Sequence, residues 1–403
     1  MINQLFILAS IALTAVNAHA GAHSFEKRQS TPTSNFQLKE TYPAPFVVPT
    51  AKPEWLELIK NVTITKAPVY KNNGAGPQPL EQGDPYCDWT FTGCFGDKDL
   101  YQCPKGQWAL TYDDGPSEFS PALYDYLDKV GVKATFFMVG GQVVKFPDYA
   151  KRAYEAGHEI AMHTWSHTYM TTLTNEQIVA ELKWNELAIK EATGVSPRYF
   201  RPPYGDIDNR VRDVAAALGF YPIIWNHDTN DWAYASAPET FQASWIDSNV
   251  TQWVNAAATA TVGGVSLEHD LYKTTVDVAI RILPKLKEAY TLVPAGACNK
   301  VPLYKESTTP AGATTANTTA PAASAAVPST LPPANTTADA KADVAAAAAA
   351  ASPSSSSSST TTTTTTNNKA NANVSTSQAS LTATSAFSVG IIAAAAAAVM
   401  ALL

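Results

Sequence analysis

Cysteine is scarce. Only four occur in 403 residues, Cys87, Cys94, Cys103 and Cys298, and none forms a C-x-x-C pair. A zinc site built on cysteine is therefore set aside. Basic clusters are missing too: the net charge is −7 and Lys and Arg form no run, so nucleic acid is not an expected partner. Large apolar residues are few over 306–385, where Ser, Thr, Ala and Pro dominate and homopolymeric Ser (354–359) and Thr (360–366) occur. Such a segment cannot bury a core, and 301–377 reads as a disordered, O-glycosylated, Ser/Thr-rich stalk.

Charge is absent from Ala386 to Leu403, an apolar stretch running to the last residue. Small residues at 371–377, a polar spacer and that tail form the pattern of a GPI signal, assigned to 378–403 and removed on attachment. No Lys or Arg follows the tail, which argues against a membrane-spanning helix; Asn371, Asn373, Ser375 and Ser377 are the candidate attachment residues. At the other end, residues 1–20 carry a short apolar run closing on Ala18-His19-Ala20, the pattern of a secretory signal peptide. Lys27-Arg28 is a candidate dibasic processing site within an N-terminal extension over 21–100. Sequons at Asn61, Asn249, Asn317, Asn335 and Asn373 agree with passage through the secretory route. The expected location is outside the cell, GPI-anchored at the plasma membrane or in the wall, with the membrane met only through the lipid. In that compartment four cysteines imply two disulfides, with three pairings open. Cys103–Cys298 is favoured because it brackets the patterned region, leaving Cys87–Cys94 to close a small loop.

Between these ends, 101–300 is expected to be one α/β domain. Short apolar runs alternate with helical stretches. Strands are expected at 108–112, 133–139, 158–162, 198–200, 221–225 and 264–267, with a short one at 290–293. Helices are expected at 120–129, 147–156, 174–193, 209–218, 238–258 and 274–289. Thr174 and Gln177 form a capping box, and Gly157, Gly194 and Gly219 close helices. The alternation predicts a mainly parallel α/β sheet of about seven strands, with barrel-like closure favoured over the open-sheet alternative. The Pro- and Gly-rich residues 29–100, with one helix near 53–60, read as a segment that wraps or precedes the domain.

Five of these strands carry polar groups at their carboxyl ends: Asp113-Asp114 in "TYDDGP", His163 and His167 in "HTWSH", Arg201 in "RPPY", Asp228 and Asp231 in "DTNDW", and His269 in "LEHD". In a parallel barrel those ends meet on one face, where active sites sit. Two imidazoles and a carboxylate make a catalytic zinc set that leaves a position for water. A neighbouring carboxylate can then take a proton from that water, the cation offsetting the like-charge penalty. The bland alternatives are a surface turn at Asp-Gly-Pro, a surface or core His pair, and an Arg201–Asp231 ion pair. Asp228 reads as a turn cap and stays outside the catalytic set.

These five motifs, spread over about 103–298, resemble those of the polysaccharide deacetylases, a carbohydrate esterase family that includes chitin deacetylases. The resemblance implies a distorted (β/α) barrel of about seven parallel strands, in which Asp114, His163 and His167 bind one divalent ion, zinc foremost with cobalt as the alternative. It implies Asp113 as general base oriented by Arg201, and His269 as general acid tuned by Asp231. Tyr204 would offer its backbone N–H to the oxyanion, and Trp232 and Leu267, with Tyr204, would line the acetyl pocket. The implied reaction is N-deacetylation of chitin or its oligosaccharides by a monomeric surface hydrolase. The alternatives are an acetyl esterase acting on a polysaccharide such as xylan, and a non-enzymatic sugar-binding surface protein.

Overall fold

The computed structural model describes residues 36–307, apart from 75, 81 and 82. The signal-peptide, dibasic-site and GPI assignments lie outside the described residues. So do the stalk beyond 307 and the sequons at Asn317, Asn335 and Asn373.

The N-terminal part carries α1 (Pro53–Leu56) and α2 (Trp89–Thr92), then β1 (Cys103–Pro104) and β2 (Gln107–Ala109). There follow β3 (Thr111–Asp113), α3 (Ser120–Val130), β4 (Thr135–Met138), α4 (Gly140–Lys145), α5 (Pro147–Glu155) and β5 (Glu159–Met162). Next come α6 (Asn175–Thr193), β6 (Tyr199–Phe200), α7 (Asn209–Ala217), β7 (Tyr221–Pro222), β8 (His227–Asp228) and α8 (Asp231–Ser236). The chain then forms α9 (Ala243–Ala256), β9 (Val262–His269), α10 (Lys273–Ala289), β10 (Thr291–Val293) and α11 (Ala295–Asn299). The strands join one sheet in the order β10-β2-β9-β3-β4-β5-β6-β7. Every neighbour along that path is parallel, β8 adds in parallel to β9, and only β1 is antiparallel. Among the described residues no ladder joins β7 to β10, so this α/β barrel is distorted and incompletely closed.

Local sequence explains the pieces. The capping box of α6 is present: Thr174 Oγ1 accepts the Gln177 N–H at 3.3 Å, and Gln177 Oε1 accepts the Thr174 N–H at 2.9 Å. Gly194 ends the helix at φ 86°, a conformation open to residues without a Cβ. The strand expected over 108–112 is two, because the chain changes partners at Leu110, whose N–H donates to Val293 O of β10 while its carbonyl accepts the Thr135 N–H of β4. Ser120 is the first helical residue of α3 rather than its cap, and its hydroxyl is used on Asp270 instead. Gly264 has a packing reason: a Cβ there would lie 2.3 Å from the Trp108 ring.

Strand alternation divides the core in two. Trp108, Leu110, Tyr112, Phe136, Met138, Ile160 and Met162 face the helices. Ala109, Phe137, Ala161, Tyr199, Ile223 and Val265 face the inside of the barrel, closed off by the Cys103–Cys298 disulfide. A second disulfide joins Cys87 and Cys94. Each fully buried large side chain contributes about 1.5–3 kcal/mol.

Residues outside the expected domain pack on it at both flanks. Tyr42 stacks on Trp165 with centroids 5.7 Å apart, and Ala44 O accepts the Trp165 indole N–H at 3.1 Å. Trp55 meets Trp184 edge-on at 4.9 Å, while Thr50 O accepts the Trp184 N–H at 2.8 Å. Past residue 300, Tyr304 OH accepts the Ile160 N–H at 3.1 Å, Lys305 pairs with Glu186 at 2.7 Å, and Glu306 accepts the Ser196 N–H at 2.9 Å. No helix among the described residues is long and apolar enough to cross a membrane.

Candidate metal centre

Asp113 is the last residue of β3 and Asp114 the first beyond it, turned aside at φ 77°. Asp113 receives Arg201 Nη1 at 2.8 Å on Oδ1. Asp114 Oδ1 lies 3.1 Å from His167 Nε2 and 3.4 Å from His163 Nε2, and Asp113 Oδ2 stands 3.7 Å from the same His163 nitrogen. Burial alone would raise the Asp114 pKa, but His167 and His163 outweigh it and hold the carboxyl well below the usual carboxylate range.

The trio fits a cation. Its three ligand atoms lie within 4.8 Å of one another. His163 donates its Nδ1–H to the Arg201 carbonyl at 2.8 Å, which leaves a lone pair on Nε2. Asp114 Oδ1 is buried without a hydrogen-bond donor among the described residues. An ionised oxygen and an imidazole lone pair repel at such a distance unless a proton or a metal ion lies between them. Ligand bonds of about 2.1 Å at tetrahedral angles separate neighbouring donors by about 3.4 Å, the spacing of Asp114 from His163.

Arg201 is fully buried and crosses the barrel interior. Its Nη1 also donates to Thr111 Oγ1 at 2.8 Å and its Nε to Ile223 O at 3.1 Å, with the guanidinium 4.1 Å above the Phe137 ring. Its carboxylate partner is Asp113, so the alternative pairing with Asp231 does not occur. Asp231 serves His269: Oδ1 accepts Nδ1–H at 2.7 Å and Oδ2 accepts the His269 backbone N–H at 2.9 Å. Burial alone would lower the His269 pKa, but the Asp231 charge and hydrogen bond raise it to about 10. Asp113 and His269 are register partners on β3 and β9, so the two groups stand side by side at the strand ends.

Tyr204 lies at φ 60°, its ring stacked on Tyr169 at 3.9 Å and set against His167 at 4.7 Å. Leu267 is buried on β9 two residues before His269, on the same strand face, and half-buried Trp232 is the second residue of α8. The β8–β9 ladder pairs Asp228 with Leu267, aligning the "DTNDW" and "LEHD" segments. Asp228 Oδ1 accepts the Asn230 N–H at 2.7 Å, a turn-capping bond, and burial pushes its carboxyl up to about 6. Of the eight described non-glycine residues with positive φ, five (Asp114, Thr164, His167, Tyr204 and Asn230) sit in these strand-end loops. Such conformations cost of order 1–3 kcal/mol each and gather where function over-determines the backbone.

Several supporting residues escaped the sequence reading. Thr111 anchors Arg201, and its own hydroxyl donates to Ser266 O. Glu181 and Asn185 of α6 bond the 163–167 loop. Their signal was present: two polar residues four apart on the helix face that also buries Ile178, Leu182 and Ile189.

A parallel (β/α) barrel with two imidazoles and a carboxylate at its strand ends, beside a second carboxylate and a His–Asp pair, defines a metal-site protein of hydrolytic type. Comparison with known proteins sharpens that class. Residues 101–223 match the polysaccharide deacetylase family. Chitin deacetylase 1 of Cryptococcus neoformans is 39% identical over 69% of this chain and 62% of its own length. Chitin deacetylase of Amylomyces rouxii is 43% identical over 52% of this chain and 51% of its own. Chitin deacetylase 1 of Saccharomyces cerevisiae is 33% identical over 57% of this chain and 78% of its own. The match thus spans between about half and four-fifths of these relatives. The chain belongs to the polysaccharide deacetylase family.

Proposed function

We propose that the protein hydrolyses the N-acetyl groups of N-acetylglucosamine units in chitin, releasing acetate and leaving chitosan. The observation that carries this reading is one cluster at the strand ends. It holds the Asp114–His163–His167 trio, an Arg-bound carboxylate at Asp113 and an Asp-bound imidazole at His269. The names of the relatives point to chitin as the polymer.

Asp114, His163 and His167 would hold a divalent ion, zinc in our reading with cobalt as the alternative. When bound, it supplies Lewis acidity toward the acetamide carbonyl and a water. The protein's own groups do the rest. Asp113 accepts the proton of the attacking water on Oδ2, because Arg201 occupies Oδ1. The Tyr204 backbone N–H receives the oxyanion. His269 delivers the Nε2 proton to the leaving nitrogen, since an amine leaves poorly unless protonated; Asp231 holds the ring in the required tautomer. Leu267 and Trp232 enclose the methyl and exclude water. The balance is one water consumed, one C–N bond broken, and acetate and amine formed.

The organisation proposed with it is a signal peptide (1–20), an extension (21–100), the catalytic domain (101–300), a stalk (301–377) and a GPI signal (378–403). This makes a monomeric, secreted, lipid-anchored enzyme. Half-buried Asn249 lies within α9 and exposed Asn61 follows α1, and both are kept as glycosylation sites. The test is mass spectrometry of products from defined chitin oligomers, with metal analysis on the same preparation. Acetate release that a chelator abolishes is expected. No release with any added divalent metal would overturn the reading. Release of the protein from cells by a phosphatidylinositol-specific phospholipase tests the anchor.

A further inference from the structure

We propose that Glu181 is the positioning residue of the metal-ligand loop, its carboxylate shaping residues 163–167 so that both imidazoles reach Asp114. The inference rests on reading that trio as a cation site. Glu181 lies on α6 and is fully buried. Its Oε2 accepts two consecutive backbone N–H groups, Trp165 at 2.7 Å and Ser166 at 2.8 Å. Its Oε1 accepts the Ser166 hydroxyl at 2.5 Å. Among the described residues it forms no ion pair. A carboxylate stripped of water without a cation is costly unless hydrogen bonds satisfy it. Here the donors all come from between His163 and His167.

The loop needs such a clamp. Thr164 and His167 both hold left-handed φ, 62° and 61°, within a span of four residues. Asn185, one turn along α6, donates to Thr164 O and, at 2.9 Å, to Met138 O, fixing the loop's entry to the end of β4. His163 has a ring anchor of its own in the Arg201 carbonyl. His167 has none: its Nδ1 finds no hydrogen-bond partner among the described residues. The aim of that ring therefore follows the backbone that Glu181 sets, with the ring contact to Tyr204 as support. A partner that orients a ligand without touching the metal typically changes affinity 10–100-fold when lost.

The test uses the full-length protein, with zinc affinity measured by competition against a chromogenic chelator beside kcat, KM and thermal unfolding. Glu181→Ala is expected to weaken zinc binding about 10–100-fold and to lower kcat more than it raises KM. Glu181→Gln keeps an oxygen for both N–H groups and is expected to stay within a few-fold of wild type. Ser166→Ala removes one donor only and is expected to cost a few-fold in affinity; it carries the test if Glu181→Ala does not fold. Unchanged zinc affinity in folded Glu181→Ala, or in both milder variants should that one fail to fold, would overturn the proposal, whatever the unfolding temperature. Failure of the wild type itself to bind zinc would instead sink the cation-site reading beneath it.

Discussion

Two adjacent aspartates have different neighbours in this site, and single substitutions test the different jobs proposed for them. Asp113→Asn leaves the trio untouched and is expected to lower kcat by about 10²–10⁴-fold with the metal content unchanged, read by acetate release and metal analysis. His163→Ala is expected to lose the metal itself. The imidazole of His269 gives a pH signature. Its pKa is raised to about 10, so it stays protonated at neutral pH and its proton-donating form is lost as pH climbs through about 10. Removing the cause, in Asp231→Asn, moves the alkaline limb of kcat down toward the ordinary imidazole value of about 6.5. By the same linkage, the pairing contributes stability that is fully present below about 6.5 and lost as pH rises through about 10. His269→Ala keeping nearly full activity would favour the xylan-type alternative, because ester cleavage needs less help from an acid. The groups gathered in the candidate site were legible because their types stand out at strand ends. Thr111 was not, since a threonine inside a strand is ordinary until the fold sets Arg201 beside it.

Helices with strong end signals were readable from sequence alone. The segment from Thr174 to Gly194 carries its cap, its closing glycine and its period, and the helix occupies that span. Short elements fixed by tertiary contacts were not. Within the "DTNDW" region, β8 is two residues long and exists because β9 offers it a ladder, and α8 starts at Asp231 with no side-chain cap. Likewise α4 begins on two glycines, Gly140 and Gly141, poor helix formers that leave room for Trp165 and Pro45. Packing overrides propensity there. One element-scale prediction isolates a cap from the chemistry. Thr174→Ala removes half of the capping box and is expected to cost about 1 kcal/mol in denaturant unfolding while leaving kcat and zinc affinity unchanged.

At the scale of the molecule, the two disulfides constrain very different lengths of chain. Cys103–Cys298 spans 195 residues and Cys87–Cys94 only 7. In the chain-entropy picture the long closure contributes about 5 kcal/mol and the short one about 2 kcal/mol. The double variant Cys103→Ala/Cys298→Ala is therefore expected to lose more thermal stability than Cys87→Ala/Cys94→Ala, measured by calorimetry on the same preparation. The contacts of Tyr42 with Trp165 and of Tyr304 with Ile160 bear on how the protein can be trimmed. A recombinant fragment trimmed to the 101–300 motif region would uncover the tryptophan between the two histidines and strip the partners of Ile160, Glu186 and Ser196. Cleavage after Arg28, as proposed from the Lys27-Arg28 pair, would spare every one of these supports, and a soluble version for crystallisation or biocatalysis should keep everything from Phe36 through Ser307.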